Sequence, residues 1–157
     1  MAVTPSQDLP FDEDDLDLVL DAMDAQSAAA KGWINFSPEV EPGEELPPRN
    51  FMVALFSARG DAVPFATWSS PETVGGRATI GIEHGSGPKA LARLAERELP
   101  LPPGWLKVAD HPRRGLVVTV PGDAASADVL WWLLTATHVL SVPPLTGSWL
   151  AKVYRPS

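Results

Sequence analysis

The chain has 157 residues, of which 45% are hydrophobic and none is cysteine, and its net charge is −8. This length suits one domain with its own core, and the hydrophobic content argues against disorder of the whole chain. The missing thiols exclude disulfides, thiolate zinc sites and cysteine nucleophiles, while the acidity argues against nucleic acid and anionic membranes as partners.

The negative charge is concentrated at one end. Residues 1–50 carry twelve acidic and two basic groups, a net of −10, whereas residues 51–157 carry eight acidic and ten basic groups, a net of +2. Residues 1–11, with Pro5 and Pro10, are expected to form a flexible N-terminus, with one domain over residues 12–157. A helix is predicted from near Asp12, because Leu16, Val19, Leu20 and Met23 recur at helical spacing and acids in a first turn suit the helix dipole. Gly32 is its expected stop.

Trp33–Phe36 reads as a short strand, followed by a Pro/Glu-rich loop at residues 38–48 whose prolines exclude a regular helix or a central strand. Phe51–Phe56 and Ala62–Trp68, around the turn at Ala58-Arg59-Gly60-Asp61, read as a β-hairpin, with Pro64 marking an edge or a bulge. A third strand is predicted over Arg77–Glu83. A helix from Pro88 to about Glu98 follows, then a second hairpin of Trp105–Ala109 and Leu116–Val120 around His111–Gly115. A last helix, capped by Asp123 or Ser126, runs to about Leu140, and a closing strand covers Ser148–Tyr154. The expected fold is α+β: a mostly antiparallel sheet of about five to six strands with three helices packed mainly on one face.

From about residue 12 to 140 this order is similar to that of small secretion-chaperone-like α+β folds, which run helix, three strands, helix, two strands, helix. The closing strand departs from that pattern. The resemblance rests on element order, and what it implies is a protein-binding role.

Among candidate sites the acidic helix comes first. Asp14, Asp17, Asp21 and Asp24 are spaced by three, four and three residues and would line one helix face. Like charges at those spacings repel, so a basic partner surface would relieve the stripe. Asp12, Asp14 and Asp15 lack the glycine and distal glutamate of an EF-hand loop. Trp131 and Trp132 sit about 100° apart on a segment, Val129–Leu134, that is apolar all round, which suits either an enclosed core helix or an interface. Arg113 and Arg114 form the one basic spot, at a hairpin tip, able to receive an acidic group that includes a second copy's N-terminal helix. Gly85, Ser86, Gly87 and Lys89 precede a predicted helix and could hold an anion, although they match neither a Walker A nor a dinucleotide motif.

Glu83-His84 and Asp110-His111 place carboxylates beside imidazoles in sequence, yet neighbours on a strand point to opposite faces. No ligand spacing predicts a metal or another cofactor, and no G-x-S-x-G elbow supplies a nucleophile. No signal peptide is visible, and Val129–Leu134 falls short of the roughly 20 apolar residues that span a bilayer. The expectation is a cytoplasmic, non-catalytic protein-binding module, chaperone-like or inhibitor-like, using the acidic helix and a tryptophan-rich apolar surface, with a homodimer as one form. The competing expectation is a small-molecule-binding or hydrolytic protein with a pocket near His84 and His111, where Glu83 and Asp110 would supply acid–base groups.

Overall fold

A computed structural model describes residues 6–41 and 63–156. Its elements are β1 (Ser6–Asp12), α1 (Asp17–Ala29), β2 (Trp33–Val40), β3 (Phe65–Ser69), β4 (Ala78–Glu83), α2 (Ala90–Glu96), β5 (Leu106–His111), β6 (Gly115–Val120), α3 (Ser126–Leu140) and β7 (Leu145–Tyr154). The seven strands form one antiparallel sheet in the order β1-β7-β2-β3-β4-β6-β5. The expected α+β fold is present, with seven strands in place of five to six.

Among the described residues the helices cover one face of the sheet and leave the other uncovered, and the strand periodicity explains why. Ile34 and Phe36, Ala66 and Trp68, Ile80 and Ile82, Leu116 and Val118, and Ala151 and Val153 alternate with less buried residues, and all of them enter one core. The helices cover this face through Val19, Met23, Leu94, Leu130, Leu133 and Leu140, each at most 0% exposed. The other face carries Asn35, Thr67, Thr79 and Thr119, with Thr67 Oγ1 donating to Asn35 Oδ1 at 2.9 Å and Trp33 stacked on Tyr154 at 5.0 Å.

Several elements differ from the sequence reading. The N-terminus expected to be flexible is a strand over Ser6–Asp12, paired residue by residue with Ser148–Tyr154. Leu9 and Phe11 alternate with Asp8, Pro10 and Asp12, and Phe11 stacks against Trp149 at 6.4 Å and meets Phe36 edge-on at 6.2 Å. Pro10 is tolerated because β1 is an edge strand among the described residues. Since β1 takes Asp12, the chain must turn before a helix can begin. Asp15 N donates to Asp12 O, and α1 starts at Asp17. It ends in a left-handed Ala30 before Gly32, and buried Gln26 ties it to β7 by donating to Tyr154 O at 2.9 Å.

The loop expected from residue 38 begins later, because β2 continues to Val40 along β7. Its ladder with β3 ends at Phe36, so Pro38 sits where β3 no longer flanks it, and a register shift lies between Pro38 and Val40. The rest of that loop, together with the predicted strand Phe51–Phe56 and its turn, lies outside the described residues. α2 is shorter than predicted, starting after a left-handed Lys89 and ending before Glu98, whose φ is also positive. β5, β6 and α3 stand close to where the sequence places them.

Candidate functional site

Three groups of residues singled out by the sequence can be judged by where the fold puts them. The first is the loop Gly85–Lys89 with the histidine–carboxylate pairs. His84 is fully buried. The Ser86 backbone N–H donates to His84 Nδ1 at 3.3 Å, and Ser86 Oγ lies 2.8 Å from the same nitrogen. Nδ1 therefore accepts, and the proton of the neutral ring resides on Nε2, which is buried without a hydrogen-bond partner among the described residues. Burial pushes the His84 pKa down from 6.5, and the nearby Arg93 guanidinium adds to this against an opposing pull from Asp110.

The fold supplies the anion for this loop from within the chain. Asp110 Oδ1 and Oδ2 accept from the backbone N–H groups of Ala90 and Leu91, both at 3.0 Å. Arg93 folds back onto the carbonyls of Gly87 and Pro88 at 2.8 and 3.1 Å. The expected anion site at Gly85, Ser86, Gly87 and Lys89 thus finds its helix start already occupied by the Asp110 carboxylate. Glu83 is exposed, and His111 lies at the hairpin tip, where its Nδ1 accepts from the backbone N–H groups of Arg113 and Arg114 at 3.1 Å each. Asp110 thus acts on His84 through space while bonding the start of α2, whereas Glu83 is exposed and His111 is held at the hairpin tip. No group of three or more His, Asp or Glu side chains among the described residues could hold a metal ion.

The neutral His84 makes stability pH-dependent. Below about pH 6.5 the unfolded chain takes up a proton that the folded state resists, so stability falls as pH drops through that value. Urea titrations between pH 7.5 and 5 should show this loss, with His84 contributing a slope of at most about 1.4 kcal/mol per pH unit. In His84→Gln that contribution should vanish, whatever the variant's absolute stability.

The second group, the tryptophans, is mostly core. Trp68, Trp105, Trp132 and Trp149 are at most 8% exposed, and Trp33 is half-buried against Tyr154. Trp132 donates its indole N–H to Pro100 O at 3.3 Å and leans on Trp105 at 5.3 Å, so it belongs to the core and not to a binding surface. Trp131 alone points outward, at 58% exposure. A tryptophan-rich apolar surface is therefore not what the fold presents.

The third group is the acidic end, and here the fold adds something. Asp14 lies in the turn after β1, so the four-residue helical stripe reduces to Asp17, Asp21 and Asp24. Asp24 accepts from Ser126 Oγ at 2.6 Å and so faces α3. Asp17 and Asp21 remain exposed. Asp21 rims a groove of about 220 Å³ between α1 and the edge strand β1, with Leu9, Leu18, Ala22 and Ala25 as apolar lining. Leu18 is 63% exposed, and Arg155 closes one end of the groove by donating to Gln7 Oε1 at 2.9 Å. A second depression, of about 490 Å³, borders β1 near Asp12, with Pro10, Ser37, Glu39 and Leu150 in its lining. Both depressions combine apolar surface with carboxylates, and neither includes His84 or His111.

Comparison with protein-family models, with curated proteins and with solved structures finds no match. No helix among the described residues is long and apolar enough to cross a membrane. The site that sequence reasoning missed is the groove itself. Its signal was the alternation of Leu9 and Phe11 in a segment whose prolines suggested fraying.

Proposed function

We propose that this protein is a non-catalytic binding module, and that its β1–α1 edge receives a basic, amphipathic segment of a polypeptide. The observation that carries this reading is the groove between β1 and α1, apolar at Leu9, Leu18, Ala22 and Ala25 and rimmed by Asp21, with Asp17 one turn away. Exposed apolar area supplies affinity, and the carboxylates of Asp17 and Asp21 along α1 supply orientation and a fast, salt-sensitive encounter. Repulsion among Asp14, Asp15, Asp17 and Asp21 is relieved when cations approach. Such chemistry supports a chaperone-like or inhibitor-like role.

The test uses fluorescence anisotropy with a short labelled peptide of alternating leucine and lysine, and its glutamate counterpart as control. The lysine peptide should bind, more weakly at high salt, and the double variant Asp17→Lys, Asp21→Lys should lose about tenfold in affinity. Equal affinity for both peptides, or none lost in the variant, would sink the reading.

A further inference from the structure

The sheet order places the two ends of the charge distribution at its two opposite edges. At one edge, residues 6–31 hold eight carboxylates, Asp8, Asp12, Glu13, Asp14, Asp15, Asp17, Asp21 and Asp24, against Lys31. The neighbouring cations from β7 and its tail are Lys152, opposite Asp8, and Arg155, at the end of the groove, and Glu13 is bonded to His138. At the other edge, residues 89–114, comprising α2, β5 and the hairpin tip, hold six cations against three carboxylates. One of those three, Asp110, is committed to the start of α2. Six strand spacings separate β1 from β5, roughly 29 Å. Ion pairs fade well within that distance at ordinary ionic strength, so the edges of a single copy cannot neutralise each other.

The β5 edge also has the apolar character that the groove requires. Among the described residues β5 pairs with β6 alone, which leaves half its backbone N–H and C=O groups facing outward there. Leu106 and Val108 are 57% and 61% exposed, with the exposed Lys107 between them and the exposed Arg114 at the hairpin tip. A register shift between Lys107 and Ala109 turns Val108 out of the regular ladder. Lys107 is the one cation of β5 itself, balanced by Asp110, so the basic amphipathic segment is β5 taken together with its hairpin tip at Arg114. Pro10 weakens β1 as a template for further strand pairing, so side chains in the groove carry the contact on the acidic side.

We propose that the segment received by the β1–α1 groove is the β5 edge and hairpin of a second copy of this chain. This rests on the groove reading above and names its occupant. Because the two surfaces lie on opposite edges, the contact is head-to-tail: each copy offers one groove and one hairpin, and association can continue past two chains.

Size exclusion with light scattering tests this on the whole chain. The weight-average mass at low salt should climb with concentration beyond that of two chains and return to that of one chain at high salt. A groove variant, Asp14→Lys with Asp17→Lys and Asp21→Lys, should be monomeric, as should a hairpin variant, Lys107→Glu with Arg114→Glu. Circular dichroism verifies that both remain folded. Mixed together, they retain one intact groove and one intact hairpin, so they should form a one-to-one dimer and nothing larger. Self-association that ignores these substitutions, or a mixture that stays monomeric, overturns the proposal. A wild-type chain that stays monomeric at low salt yet binds the lysine peptide overturns it too and leaves the groove reading standing. Failure of both assays removes both.

Discussion

Replacing Gly115 with alanine should destabilise the fold by about 3 kcal/mol or more, read as a shift in the urea midpoint. Gly115 opens β6 with φ at +98°, a conformation that L side chains rarely adopt, and a Cβ there would lie 2.3 Å from Ile82 O and 3.0 Å from Ile82 C. Those atoms are backbone of β4, the strand to which β6 pairs, so relief requires the ladder to part. Gly122→Ala should cost about 2–4 kcal/mol for a different reason, since its Cβ would meet Gly75 O at 2.1 Å in the turn that packs over it. Gly81 is the control. A Cβ there meets nothing within 4 Å, on the open face between Thr67 and Val117. Gly81→Ala should therefore be neutral or stabilise by about 0.5 kcal/mol, because glycine within a strand carries an entropic cost that alanine removes.

This contrast also shows what could be read from the sequence. Local signals were enough for β5, β6 and α3, where alternation, a compact turn and a long apolar helix stand between clear breakers. Gly115 could be seen as part of a turn, but its approach to Ile82 depends on β6 entering between β4 and β5, which no local pattern encodes. The N-terminal strand was hidden for a related reason. Pro10 and the surrounding acids suggest a frayed tail, and only the arrival of β7, well over a hundred residues later, gives Leu9 and Phe11 a surface to cover. Once β1 forms, the acidic helix must start later, Asp14 leaves the stripe, and a groove opens between strand and helix. The candidate site was thus legible in charge but not in shape. Its carboxylates were visible in order, while its apolar lining combines residues from two elements whose pairing is long-range.

The adjacent tryptophans of α3 should respond to substitution in opposite ways. Trp132→Ala is expected to cost about 3–5 kcal/mol, the range for deleting a large buried aromatic side chain. Trp132 is 2% exposed, fills the space beside Trp105, and places its indole N–H on Pro100 O, so truncation opens a cavity and strands a carbonyl at once. Trp131→Ala should change stability by no more than about 0.5 kcal/mol, because at 58% exposure it loses little burial on truncation. Thermal unfolding of the two variants beside wild type measures both effects. A large loss for Trp131→Ala that grows with protein concentration would mean that this side chain is covered in an assembly, and since α3 carries it on the helix layer, that cover would be a contact additional to the edge-to-edge one. A small loss independent of concentration leaves association to the two sheet edges, where the charges and the exposed Leu18, Leu106 and Val108 already stand.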